Sequence, residues 1–107
     1  MAYGGFGGGN MQQLMKQAQV MQRKLQEAQQ ELADSEVTGS AAGGMVEVTL
    51  TGDKTPVSVS IKPEAVDPDD VEMLEDMVLA ALNDAMKQAD DLSKELLGPM
   101  GNAGGLF

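Results

Sequence analysis

The apolar pattern of this chain changes from the period of a strand to that of a helix within residues 61–85, and this change constrains the fold more than any other feature. Before it, apolar and polar residues alternate as in a half-buried strand; after it, apolar residues recur every three or four positions as in a helix. Asp67 and Pro68 stand at the change. An Asp carboxylate can accept a free helix N–H, and Pro suits the first helical position because it has no N–H to leave unpaired. The pattern therefore predicts a helix over residues 68–97.

A second helical pattern lies near the start of the chain. Apolar residues run from Met11 to Leu32 in alternating steps of three and four, which is the heptad seam of a helix that packs along another element. A helix from Asn10 to about Asp34 would be about 37 Å long at 1.5 Å per residue. We expect its C-terminal half, residues 25–32, to pack on the protein's own sheet, and its first two turns to project or to lie along a second chain.

Between the helices the pattern predicts a three-stranded antiparallel meander with one apolar face. The predicted strands are Glu36–Gly39, Met45–Thr51 and Pro56–Ile61, the last starting with a Pro where a missing N–H is tolerated. A flexible turn of small residues at 39–44 and a tighter turn at 52–55 connect them. The predicted fold class is α+β, in the order helix, sheet, helix.

The second helix carries more apolar residues than one packed face needs. A broad stripe between Val71 and Leu96 is the expected lid on the apolar face of the sheet. Four further apolar residues fall outside that stripe: Met73, Met77, Leu79 and Met86. Burial on two sides, by the sheet and by a second subunit, explains the excess, and a Met-lined peptide groove is the alternative. We expect an intertwined or edge-paired homodimer formed through helix one, the sheet edge or helix two.

Composition excludes most catalytic machinery. The 107 residues include no Cys and no His, which removes disulfides, thiol nucleophiles, Cys/His zinc sites and imidazole acid–base chemistry. The acids at 67–76 lack the spacing of an EF-hand loop, and capping and solvated helix surface account for most of them. We therefore expect no catalytic residue, no metal, no cofactor and no small-molecule substrate.

The chain length and its ends predict one domain over residues 10–97. The Gly-rich segments 1–9 and 98–107 have the composition of flexible tails. No apolar run approaches the roughly 18 residues that a membrane-spanning helix needs, and the first residues lack the pattern of a secretory signal. We expect no membrane partner and a location in the cytoplasm.

The formal net charge of −10 is distributed unevenly. Residues 1–26 contain three basic residues and no acid, whereas residues 63–107 contain eleven acids and two lysines. Because duplex DNA is bound by neutralising its phosphates, only the N-terminal helix could approach a polyanion.

Three blocks of the sequence together resemble the YbaB/EbfC family of nucleoid-associated proteins. The blocks are NMQQLMKQAQVMQRKLQEAQQELA, VTGSAAGGMVEVTLTGDKTPVSVSI and DPDDVEMLEDMVLAALNDAM, which cover about residues 10–97 in the usual order of the family. The resemblance implies a bacterial nucleoid protein that binds double-stranded DNA as a homodimer, alters its conformation, and so influences gene expression and DNA protection. It carries no catalytic signature.

The resemblance also implies that paired N-terminal helices grip the DNA. Their basic residues are Lys16, Arg23 and Lys24, of which Lys16 and Arg23 lie one heptad apart and share a helix face. Gln12 and Gln13 are the nearby polar candidates, because amides can hydrogen-bond phosphates and base edges. Without the resemblance, three charges are also typical of any solvated helix.

Other interpretations remain open at the level of sequence. Lys54 in the hairpin turn and Lys62 at a strand end are either auxiliary DNA contacts or isolated surface lysines. The alternative function is a protein-interaction adaptor that uses the acidic, Met-rich second helix to bind a basic or apolar partner. A metal-dependent hydrolase built on the acids is disfavoured by the missing His and Cys.

Overall fold

The computed structural model describes the backbone of residues 2–104 and the side chains of residues 10–98. The chain forms helix α1 (Ala2–Asp34), strands β1 (Glu36–Ala41), β2 (Val46–Thr51) and β3 (Pro56–Ile61), and helix α2 (Val71–Gly104). The protein is therefore α+β in the predicted order of helix, sheet and helix. The predicted flexible tails, residues 1–9 and 98–107, fall outside the described side chains except at Gly98, so their flexibility stays a prediction.

The sheet is a meander in the order β1-β2-β3, with both neighbouring pairs antiparallel. The pairing places Val48 of β2 opposite Val59 of β3, and a register shift follows at Thr49 and Leu50. Because side chains alternate along a strand, the apolar residues of β2 and β3 lie on one face, as predicted.

Strand β1 extends further than the sequence suggested. Gly39, predicted to begin a flexible turn, pairs with Val48 within the ladder, and the strand continues to Ala41. The turn is the short 3₁₀ segment Ala42–Gly44, in which Gly43 and Gly44 adopt positive φ angles of 67° and 91°. Gly tolerates these left-handed angles, which explains why the turn can be this tight.

Helix α2 begins three residues later than predicted. The carboxylate of Asp67 accepts the N–H of Asp69 at 2.9 Å and so caps a turn that precedes the helix. Asp70 is the residue that caps α2 itself, because its Oδ1 accepts the N–H of Met73 at 3.2 Å. The regular helical backbone is interrupted at Gly98 (φ 48°, ψ −127°), next to the predicted end.

The core lies between α2 and the strands β1 and β2. Val46, Val48 and Leu50 of β2 are buried against Ala81 and Ala85 of α2. Among the described residues, Val46, Val48 and Leu50 are the largest side chains of this cluster with at most 4% of their surface accessible, so the core they form is small. Such a core gives limited hydrophobic stabilisation to a domain of this size.

The C-terminal half of α1 packs mainly against α2 and only to a small extent against the sheet. Ala28 and Leu32 are buried, and α1 contacts mainly α2. It reaches the sheet at the end of β2, where the backbone of Leu32 lies against Gly52. The prediction that this half packs on the sheet is wrong in its main partner, because most of its contacts are with α2.

The predicted lid is incomplete. Helix α2 contacts β1 and β2 extensively, whereas every residue of β3 is exposed. Val57, Val59 and Ile61 retain 48%, 57% and 39% of their accessible surface. The expectation that α2 covers the whole apolar face is therefore wrong for β3.

Candidate nucleic-acid interface

Residues 10–24 of α1 form a fully exposed stretch of helix. Each residue from 10 to 24 is exposed, including all the sequence-predicted DNA contacts: Gln12, Gln13, Lys16, Arg23 and Lys24. The seam residues Met11, Leu14 and Met21 are exposed as well. This part of α1 therefore extends beyond the packed body of a single chain.

Helical geometry divides the five candidate residues into two rows. Successive residues turn by about 100°, so Gln12, Lys16 and Arg23 fall in one row, with Lys16 and Arg23 about 10.5 Å apart along the axis. Gln13 and Lys24 fall in a second row, rotated by about 100° from the first. The helix thus brings together three of the predicted residues and separates the other two.

The row formed by Gln12, Lys16 and Arg23, which we call the basic row, lies on the side of α1 opposite the apolar seam. Leu14 and Met21 are rotated by about 140° to 180° from Lys16 and Arg23. Protein contacts along the seam would consequently leave the basic row open to solvent. The two surfaces can act independently.

The basic residues of α1 have no local charge partners. Within residues 10–98, neither Lys16, Arg23 nor Lys24 takes part in an ion pair or a side-chain hydrogen bond. No acid occurs before Glu27, so Lys16 has no acid within one helical turn, whereas Glu27 lies one turn after Arg23 and Lys24 without forming an ion pair with either. Phosphate oxygens would be the first strong acceptors that these side chains meet.

The two auxiliary lysines differ from the basic row. The Nζ of Lys54 lies 2.5 Å from a carboxylate oxygen of Asp90 on α2, so its charge is already paired. Lys62 is exposed at the end of β3, where its backbone N–H donates to the carbonyl oxygen of Met45. The structure does not bring either lysine into the basic row.

The exposed surface of α2 is acidic. Between residues 71 and 98, α2 carries seven acids and two lysines. Charges of this sign repel DNA at separations below the Debye length of about 8 Å at physiological ionic strength. The acidic surface of α2 is therefore unfavourable for contact with DNA.

The described residues can also be searched for metal sites and for membrane-spanning helices. Among them, no group of three or more acids is arranged to hold a metal ion. The helices in this part of the chain also lack a segment that is long and apolar enough to cross a membrane.

Sequence reasoning missed an apolar groove between β3 and α2. It has a volume of about 430 Å³ and is lined mainly by Val48, Leu50, Val57, Val59, Val78 and Leu82. The available signal was the excess of apolar residues on α2 together with the uncharged strand 56–61. What the sequence did not reveal is that α2 leaves β3 uncovered.

Comparison with known proteins relates this geometry to a family. Residues 7–105 match the family described as the YbaB/EbfC DNA-binding family. A nucleoid-associated protein from Agathobacter rectalis is 52% identical over 97% of this chain and 96% of its own length. A nucleoid-associated protein from Staphylococcus aureus is 60% identical over 86% of this chain and 88% of its own length.

A solved structure shares the fold. The crystal structure of an uncharacterized protein from Helicobacter pylori matches with a TM-score of 0.71 at 26% sequence identity. The match covers 83% of this chain and 94% of that chain. The similarity therefore spans most of the helix, sheet and helix arrangement.

Proposed function

This chain belongs to the YbaB/EbfC DNA-binding family, and on that premise we propose that it is a nucleoid-associated protein that binds double-stranded DNA with α1. It acts as a homodimer, changes the conformation of the DNA, and contributes to nucleoid organisation, gene expression and DNA protection. The proposed location is the nucleoid within the cytoplasm. The proposed function involves no reaction, cofactor, small-molecule substrate or membrane.

The observation that carries the DNA-binding proposal is the exposed basic row on α1. Gln12, Lys16 and Arg23 share one side of a helix that has no acid before Glu27. Lys and Arg neutralise phosphates, and an amide can add a hydrogen bond to a phosphate or a base edge. This combination favours binding to the phosphate backbone of DNA, with little dependence on the base sequence.

A homodimer doubles the number of basic side chains that α1 offers to DNA. One chain supplies three basic side chains on α1, and a pair of chains supplies six. Binding through phosphates then falls steeply with salt, because each neutralised phosphate releases condensed counterions. The acidic surface of α2 supports the same arrangement, because it disfavours any approach of the duplex away from α1.

Charge reversal tests the role of α1 directly. The variant Lys16→Glu with Arg23→Glu reverses both charges of the basic row on exposed positions, where substitutions rarely alter stability. The matched control is Lys87→Glu with Lys94→Glu, which makes the same change in net charge on α2. Binding to a fluorescently labelled duplex is measured by anisotropy at low salt, with circular dichroism and molecular mass as checks of folding and assembly.

We expect the α1 variant to lose DNA binding while it remains folded with an unchanged mass. The control retains most of its binding, because the altered charges on α2 are screened from DNA held at α1. Unchanged binding by the α1 variant, or equal losses in both variants, would remove the basic row from the interface.

A second candidate function is favoured by the exposed apolar residues of α2. Met73, Leu79 and Met86 are exposed, whereas Met77 is half-buried against the core. A protein-interaction adaptor would use these exposed side chains together with the surrounding acids to bind a basic or apolar partner. Substitution of Met73 and Met86 by Ser should abolish partner capture if this is the function, and should spare DNA binding if the first proposal is correct.

A further inference from the structure

Val20 is an exposed apolar residue in the middle of the polar side of α1. It retains 43% of its accessible surface and is the only β-branched residue of the helix. At about 100° per residue, it lies about 100° to 180° around the helix from the seam residues Met11, Leu14 and Met21. Val20 therefore lies outside the apolar seam and does not join a protein contact made along it.

The helical neighbours of Val20 are all polar or basic. Residues three and four positions apart are adjacent on the surface of a helix, and for Val20 these residues are Lys16, Gln17, Arg23 and Lys24. Three positive charges thus surround one apolar side chain, and none of its neighbours is an acid.

Val20 lies midway between the two rows on α1. Lys16 and Lys24 are each rotated by about 40° from Val20, in opposite directions, and lie about 6 Å before and after it along the helix axis. Arg23 lies on the same side as Lys16, about 60° from Val20. Positive charge therefore flanks Val20 on both sides, with two residues from the basic row and one from the second row.

Residues 10–24 have the dimensions needed to enter the major groove of DNA. All of them are exposed, and at 1.5 Å per residue they span about 22 Å. An α-helix is about 10–12 Å across with its side chains, which fits a major groove about 12 Å wide but not a minor groove of about 6 Å. With Val20 directed into the groove, the charges on its two sides face the two phosphate backbones that border it.

We propose that Val20 contacts the floor of the major groove and packs against the methyl group of thymine. This inference rests on the proposed DNA binding by α1 and identifies the residue that adds a base-dependent contact to it. The thymine methyl is the apolar group that base pairs present in the major groove, and apolar side chains contact it there. The seam of α1 points away from the DNA in this arrangement and stays available for protein contacts.

The resulting preference for thymine is expected to be small. Loss of one methyl-sized apolar contact changes affinity by about fourfold, and loss of the two Val20 contacts of a homodimer changes it by about fifteenfold at most. Because thymine occurs in most duplexes, unrelated sequences of similar base composition bind with nearly equal affinity. The preference becomes measurable when the methyl groups themselves are removed from the DNA.

The test compares two labelled duplexes of the same sequence, one with thymine and one with uracil at every thymine position. Uracil pairs with adenine as thymine does and differs from thymine only in lacking the C5 methyl group. Fluorescence anisotropy at one low salt concentration gives the affinity of the full-length protein for each duplex. We expect the wild-type protein to bind the thymine duplex about four- to fifteenfold more tightly than the uracil duplex.

Val20→Ser identifies the residue that makes the contact. It removes both methyl groups of the side chain, and valine and serine have similar helix propensities. The matched control is Met15→Ser, which changes another exposed apolar residue of α1, about 140° around the helix from Val20. We expect Val20→Ser to bind both duplexes equally and Met15→Ser to keep the wild-type ratio.

Two further readouts separate this contact from a structural effect. Circular dichroism checks that both variants remain folded. The slope of log affinity against log salt should be the same in Val20→Ser and wild type, because the loss of an apolar contact releases no counterions. A reduced slope would show that Val20→Ser disturbs the phosphate contacts and would contradict a contact with the base alone.

A wild-type protein that binds both duplexes equally would overturn the thymine contact while leaving DNA binding by α1 intact. The same ratio in Val20→Ser and wild type would overturn the assignment to Val20, because another residue would then contact the methyl group. No binding to either duplex would overturn the proposed function together with this inference. The comparison of the two duplexes with wild-type protein needs no variant, so it tests the inference even if Val20→Ser does not fold.

Discussion

Gly39 on β1 lies directly beneath Ala85 on α2, and the two residues set how closely the helix approaches the sheet. A Cβ atom at Gly39 would lie 2.8 Å from the Cα of Ala85 and would overlap the neighbouring backbone of α2. Because backbone atoms have little room to move, a larger residue at this position must displace the helix.

We therefore expect Gly39→Ala to lower the free energy of unfolding by about 1–3 kcal/mol, the usual cost of overpacking a core. Urea denaturation followed by circular dichroism measures this change. Ser40→Ala is the matched control: it alters the adjacent exposed residue, whose hydroxyl makes no hydrogen bond among the described residues, and should change stability by less than about 0.5 kcal/mol. Equal effects of the two substitutions would show that the close approach is not maintained in solution.

Arg23 and Lys24 are adjacent in sequence but lie in different rows on α1, so we expect them to contribute differently to the salt dependence of DNA binding. Arg23→Ala and Lys24→Ala each remove one charge per chain, but only Arg23 lies in the basic row. If each Arg23 of the dimer neutralises one phosphate, its loss should reduce the slope of log affinity against log salt by about 2. Lys24→Ala should change that slope less, and identical slopes for both variants would contradict the division into rows.

Lys54 provides a further comparison, because it carries the same charge as Lys16 but already pairs with Asp90. We expect Lys54→Ala to leave DNA affinity unchanged and to cost at most about 1 kcal/mol of stability, as is typical of exposed ion pairs. Lys16→Ala should weaken binding without this effect on stability. Anisotropy titrations and thermal unfolding of both variants separate the two roles, and a loss of affinity in Lys54→Ala would place the hairpin turn in the interface.

The turn between β2 and β3 has a measurable electrostatic signature. The hydroxyl of Thr51, followed by that of Thr55, donates to the carboxylate of Asp53 and holds its pKa below the ordinary value of 3.8. Because the pKa is lowered in the folded state, the stabilisation is present above pH 3.8 and is lost as the pH falls through the folded-state pKa.

We expect Thr51→Val to raise the pKa of Asp53 towards 3.8, as followed by NMR of the carboxyl carbon during an acid titration. Thr38→Val is the control, because its hydroxyl pairs with Thr49 at 2.9 Å and not with a carboxylate. A pKa that is the same in wild type and Thr51→Val would show that this hydrogen bond does not stabilise the charged form.

The arrangement of secondary structure could be predicted because its signals are local. Periods of two and of three to four residues identified the three strands and both helices, and their order determined the α+β class. The exact start of α2 could not be predicted, since Asp67 and Asp70 are both good caps and three-dimensional geometry decides between them. The length of β1 was also misjudged, because Gly39 is typical of a turn until a helix is seen to lie against it.

The covering of the sheet could not be predicted because it depends on contacts distant in sequence. Asp84 and Gln88 fix α2 over β1, and neither residue differs in type from an ordinary exposed helix residue. The arrangement of the candidate DNA contacts, by contrast, could be predicted, because the rows on α1 follow from the helical period alone. The exposure of residues 10–24 also agrees with the predicted projection of α1. Their contact with DNA stays a prediction.

The most direct test of the central claim is a titration of two unrelated labelled duplexes with the wild-type protein across a salt series, followed by fluorescence anisotropy. The four basic side chains of two basic rows predict a slope of log affinity against log salt of about −4, with a smaller addition from Lys24 and nearly equal affinities for the two sequences. The absence of binding at low salt, or binding that is insensitive to salt, would contradict a phosphate contact made by α1.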